Sequence, residues 1–221
     1  STNIPQVGAH NVTIGRWNGH RWTLLDDGLP QLPLTLGGLQ ILNDGSGPRL
    51  YAAAIWTQPL TYWMGVWNGQ SWGPAPEGLL AINGTVGPGL SFNDGSGPAI
   101  YGLTCATLGL CAGNSVVRWT GANWVPLGGP SDLGGAVGSL YAADLGRGPE
   151  LYAAGTFHAM GGVPALRIAR WTGTAWEGLG GGVSGLVRTM CQYDDGRGPA
   201  LYVGGNMFMA GKHPTRLKGV G

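Results

Sequence analysis

The chain has 221 residues, enough to bury a proper core, and a formal net charge of +1. Charged residues make up 10% of it, against about 25% in an ordinary soluble domain, and no basic stripe or cluster occurs, which argues against nucleic acid as a partner. The 44 glycines and 15 prolines are periodic and separate apolar, β-prone runs, so they mark turns between short strands rather than low complexity.

Two punctuation marks recur in fixed phase. Trp17/Trp22, Trp67/Trp72, Trp119/Trp124 and Trp171/Trp176 are pairs five residues apart, and the first Trp returns after 50, 52 and 52 residues. Between them, Asp44 to Pro48, Asp94 to Pro98, Gly146 to Pro149 and Asp195 to Pro199 form a second mark, each followed by a tyrosine: Tyr51, Tyr101, Tyr152, Tyr202. The chain therefore reads as four repeats of about 50 residues, near 14–64, 65–116, 117–169 and 170–221, in one domain spanning 1–221.

In chain order, 11–17 and 20–25 are expected to form a first hairpin. Asn18-Gly19 is placed as a two-residue type I′ turn, which sets Trp17 against His20 and Gly15 against Trp22. Both indoles then share one face, diagonally. Burying that face is worth several kcal/mol at roughly 25 cal/mol per Å², so the Trp pairs are read as packing between sheets. Strands follow at 36–43 and 49–54, then an aromatic loop over 55–63 with Trp56, Tyr62 and Trp63. The order recurs at 64–67 and 71–73; at 86–92, 99–103, 115–119 and 123–127; and at 137–143, 150–155, 166–171 and 175–179. It ends with 187–193, 200–204 and a frayed strand over 216–220. No helical period is present. Segment 98–117 carries no charge, but Pro98, Gly102, Gly109 and Gly113 interrupt it, so no membrane span is expected.

About four short strands per repeat, radially repeated, is the pattern of a β-propeller. Leu201-Tyr202-Val203-Gly204-Gly205, with an aromatic and then a Trp five residues on, resembles the kelch repeat. The units also look like kelch-like repeats of large bacterial surface proteins. The other units read Ala53-Ala54, Leu103-Thr104 and Ala154-Gly155 where the last has its Gly-Gly pair. The resemblance covers essentially the whole chain and implies an all-β propeller of about four four-stranded blades. The chain would open with the last two strands of one blade and end with the first two of another. Either these halves join and close the ring, or the chain is an arc of a larger propeller. Beginning at Ser1, with no Met or signal segment, it reads as processed or cut from something longer.

Candidate chemistry is sparse. Each Asp-Gly-x-Gly-Pro turn offers two adjacent carboxylate or amide groups, short of a calcium ligand set, and turn chemistry accounts for them. Four isolated histidines lack zinc spacing, the acidic residues sit mostly in turns rather than in a glycosidase-type pair, and no nucleophile constellation is legible. No enzyme activity, cofactor or metal is expected. Cys105 and Cys111 flank a loop and either bridge it or remain thiols; Cys191 is expected in the core. The residues that break the repeat, Trp56, Tyr62 and Trp63, with Phe157, His158 and Met160, are the candidate contact surface. The expected function is that of an extracytoplasmic (secreted, cell-surface or periplasmic) accessory or interaction subunit docking on other proteins. The alternative is a lectin-like propeller stacking its loop aromatics on a glycan. In the packing alternative, Trp56 and Trp63 only fill the gap between neighbouring blades.

Overall fold

A computed structural model describes residues 13–30, 35–57, 60–79, 89–104, 115–132, 135–211 and 215–216, with the backbone alone at 55–57, 60–62, 208 and 215–216. Within these residues every regular element is a strand. A hairpin of β1 (Gly15–Trp17) and β2 (Trp22–Leu24) comes first. Two antiparallel four-stranded meanders follow. One holds β3 (Thr35–Asn43), β4 (Pro48–Thr57), β5 (Leu60–Trp67) and β6 (Trp72–Pro74); the next holds β7 (Leu90–Asn93), β8 (Pro98–Leu103), β9 (Val116–Trp119) and β10 (Trp124–Pro126). The third sheet is β11 (Val137–Asp144), β12 (Pro149–Gly155), β15 (Ile168–Trp171) and β16 (Trp176–Gly178), with a small hairpin, β13 (Ala159–Met160) and β14 (Val163–Pro164), inserted. The last sheet has β17 (Val183–Asp194), β18 (Pro199–Ala210) and β19 (Thr215–Arg216).

The sequence expectation of all-β, four-stranded antiparallel units holds, and several boundaries move. The segment expected as an aromatic loop is strand: β4 and β5 pair through Ala54↔Trp63, Ile55↔Tyr62, Trp56↔Thr61 and Thr57↔Leu60. β17 and β18 are each longer than the expected strands, and β19 reaches only Arg216 of the frayed strand expected over 216–220. Cys105, Cys111 and residues 1–12 lie outside the described residues. Cys191, expected in the core, is exposed; its neighbour Met190 takes the inward position, because successive strand residues face opposite ways.

The Trp hairpin also differs from expectation. Trp17 pairs directly with Trp22, and Gly15 with Leu24. The loop is four residues, not two. Asn18 Oδ1 accepts from the backbone N–H of His20 at 3.0 Å and of Arg21 at 2.9 Å, and only Gly19 takes a positive φ, 96°. The Asn side chain organises the loop in place of a second left-handed residue. The Thr172 hydroxyl does the same by donating to Ala175 O at 3.0 Å and accepting from Ala175 N at 3.2 Å. Directly opposite indoles follow, with centroids 5.3 to 5.5 Å apart in all four pairs.

Burial is organised by the spaces between consecutive sheets. Leu151 and Ala153 of β12 face a cluster with Phe92, Tyr101 and Val116 of the second sheet. Tyr152 and Ala154 of the same strand face Val187 and Met190 of the last. In β4, Ala52 and Ala54 face Ile14 and Leu29, while Tyr51 faces Ile100 and Trp119. These second strands are buried on both sides, so they read as continuous apolar runs rather than alternating ones. Their alanines keep the neighbouring sheets close.

Candidate functional site

At the end of each sheet where its first two strands meet, an Asn or Asp side chain folds the turn. Asn43 Oδ1 accepts from Gly45 N at 3.0 Å and Gly47 N at 3.1 Å, and Asp144 Oδ1 from Gly146 and Gly148 at 2.8 and 3.0 Å. The repeated tyrosine then meets a carboxylate and an arginine. Tyr51 donates to Asp44 Oδ2 at 3.3 Å, with Arg49 ion-paired to the same oxygen. Arg118 Nε donates to Tyr101 at 3.1 Å and lies 3.8 Å from Asp94. Tyr152 donates to Glu150 Oε2 at 2.6 Å, and Arg170 to Glu150 Oε1 at 2.9 Å.

The protonation states follow from these contacts. Burial, together with the adjacent Asp94 or Glu150, pushes the Tyr101 and Tyr152 phenols well above their ordinary range, and Tyr51 shifts the same way beside Asp44. Burial alone would raise Asp44 and Asp94. The hydroxyl and amide of Ser46 or Ser96 and the nearby arginine outweigh it, leaving both carboxyls below theirs. These groups are mutually satisfied. They lock the turn onto the second and third strands and hold no unengaged base or nucleophile.

The opposite end carries the connections from second to third strand, where the sequence placed its candidates. Trp56 and Tyr62 lie in the extended β4–β5 hairpin, and their side chains are outside the described residues. Trp63 is half-buried, packed edge-on against Trp72 with centroids 6.3 Å apart; for this indole the packing alternative describes its surroundings. Phe157 and Met160 are fully buried, so they belong to the core between the second and third sheets rather than to an outer surface. His158 points outward, its side chain 64% exposed and its Nδ1 3.4 Å from Asp132 Oδ2. Asp132 Oδ1 also accepts from the His158 and Ala159 backbone at 2.8 and 3.2 Å. Those bonds hold its carboxyl below the usual range and fasten the base of the β13–β14 hairpin. No group of three or more His, Cys, Asp or Glu side chains that could hold a metal occurs among the described residues, and none of their helices is long and apolar enough to cross a membrane.

Sequence reasoning missed the joints between units. The second indole of a pair donates to a backbone carbonyl of the preceding unit: Trp72 to Leu25 at 2.8 Å, Trp124 to Gly78 at 3.1 Å, Trp176 to Leu127 at 2.6 Å. The turns that supply those carbonyls also supply a glycine that leaves room for the rings. A Cβ on Gly128 would sit 2.5 Å from Trp171 Cζ3 and 2.9 Å from Trp176 Cδ1. The available signal was a glycine four to six residues after each second Trp: Gly28, Gly78, Gly128 and Gly180.

No protein-family model, curated protein or solved structure matches the chain.

Proposed function

We propose that the sheets are blades of a kelch-like β-propeller and that the protein is a non-catalytic, extracytoplasmic interaction or accessory subunit. It docks on a larger protein assembly through the connections between the second and third strands of its blades. What supports the blade reading is the packing of consecutive meanders face to face, each junction holding its own apolar cluster.

One observation carries the interaction reading. The frame of strands, turns and Trp pairs repeats closely, while the second-to-third connections diverge. One is an extended hairpin bearing Trp56 and Tyr62; another folds into β13–β14 and exposes His158. Variation confined to one end of a constant scaffold is where recognition is placed. The engaged carboxylates and low charge fit a binding role better than a hydrolytic one.

The test is the native mass of the protein from its source under mild conditions. It should migrate in a complex much larger than its own 22.8 kDa. Replacing 55–62 with a short Asn-Gly turn, or His158→Ala, should release it without loss of folding. Migration alone at its own mass would overturn the reading.

A further inference from the structure

The joint between units is built three times within the chain, and its two halves are each present once more without a counterpart. Gly28 lies against Trp72, Gly78 against Trp119, and Gly128 against Trp171 and Trp176. The fourth turn, Leu179-Gly180-Gly181, repeats Leu127-Gly128-Gly129 in sequence and in backbone: φ is 69° and 90° in the third turn, 55° and 99° in the fourth. Yet a Cβ on Gly180 would meet nothing within 4 Å, and a hollow of about 410 Å³ opens beside it, lined in part by His158, Leu166, Gly180 and Gly182. At the other end of the chain, Trp17 and Trp22 form the same stacked pair as the others but are 51% and 62% exposed, whereas Trp72, Trp119 and Trp176 are 4%, 1% and 2% exposed.

A second pair of surfaces matches in the same way. In the complete sheets the third strand covers the tyrosine: Tyr101 faces Arg118, and Tyr152 faces Arg170. In the last sheet the described third strand pairs only with Met209 and Ala210, and Tyr202 is 41% exposed. The residue equivalent to Arg118 and Arg170, one before the first Trp, is Arg16, in the exposed strand β1. One rigid placement satisfies both. With β1 beside β18 in the register of the third sheet, Arg16 faces Tyr202 and Trp17 faces Leu201. The two indoles then reach Gly180, and Trp22 can donate to Leu179 O.

We propose that the last sheet takes the β1–β2 hairpin of a second copy of this chain, so that copies join head to tail. Within one copy, β1 and β2 pack against the first sheet, and no extensive contact links them to β17–β19. Docking on a second copy requires no rearrangement of the sheets, whereas closure on the same copy does. Because the two surfaces differ, the contact is heterologous and generates a ring where the rotation closes and an open chain where it does not. The inference goes beyond the role proposed above and stands on the internal joints alone.

The experiment is sedimentation of the purified chain over a range of concentrations. The mass should rise with concentration. Trp17→Ala/Trp22→Ala should weaken association at least tenfold. Gly180→Asp, a residue type that tolerates left-handed backbone, should do the same by filling the space the indoles need. Each variant keeps one intact surface, so an equimolar mixture of the two should form a one-to-one dimer and nothing larger. Arg16→Glu supplies an independent hairpin variant should either of these lose its folded spectrum. A chain that stays monomeric at all concentrations overturns the proposal, and a monomer whose indoles resist acrylamide quenching identifies closure within one copy instead. Association that persists in the variants, or a mixture that fails to pair, places the contact elsewhere and also overturns it. None of these outcomes touches the docking reading above, which is tested in the source extract and not on the purified chain.

Discussion

Trp171 and Trp176 stack on one another, yet their ring nitrogens are treated differently. Trp176 Nε1 donates to Leu127 O at 2.6 Å, while the buried Nε1 of Trp171 has no hydrogen-bond partner among the described residues. Replacing either by Phe removes a similar volume, so the difference between the two variants isolates the hydrogen bond. Trp176→Phe leaves the Leu127 carbonyl unpaired, which costs about 1–3 kcal/mol; Trp171→Phe relieves a buried donor. Urea denaturation should therefore find Trp176→Phe the less stable of the two by at least about 1 kcal/mol. Equal losses would show that packing alone sets the value of both rings.

The turns between first and second strands are held by side chains rather than by the ladder. Asn43 Oδ1 satisfies two backbone donors, Gly45 and Gly47. Asn43→Ala removes both bonds from a turn whose strand partners are Asn43 and Pro48, and proline can offer no N–H to replace them. The expected loss is about 1–2 kcal/mol, seen as a lower denaturation midpoint with unchanged slope. Asn43→Asp, which keeps the acceptor, should lose less. Elements of this kind were legible in the sequence because their chemistry is local: Asn or Asp followed by Gly-x-Gly-Pro needs nothing from the rest of the molecule to make a turn. The hairpin loop at Asn18 was misjudged for the same local reason. Asn-Gly fits a two-residue turn, but a side-chain cap at Asn18 wins and lengthens the loop to four, which brings the two indoles face to face.

Across the molecule, the tyrosines and carboxylates at the turn ends give stability a defined pH window. Asp44, Asp94 and Asp132 have folded pKa values below the ordinary one. Their contribution is present above the usual carboxylate pKa of about 3.9 and is lost as pH falls through the depressed values. Tyr51, Tyr101 and Tyr152 are raised, so their contribution is complete below the usual phenol pKa of about 10 and is lost as pH rises through the raised values. Thermal midpoints should be level between these limits and fall outside both. In an alkaline absorbance titration these three phenols should ionise only together with unfolding; their early, reversible ionisation would contradict the buried contacts described.

Strand periodicity, turn positions and the fourfold repeat are properties of the sequence by itself, because glycine conformation, Asn capping and β-branching act over a few residues. Three features were decided only by tertiary structure. Phe157 and Met160 lie inside rather than outside, the indoles at 17 and 22 are bare while their equivalents are covered, and each second indole has its acceptor in the unit before. All three depend on which face of which neighbouring sheet comes to lie across a strand. The acceptor of Trp176 is 49 residues away, beyond the reach of any local pattern. The second strands show the reason most directly: buried on both sides, they lose the alternation by which a sequence records its inward face.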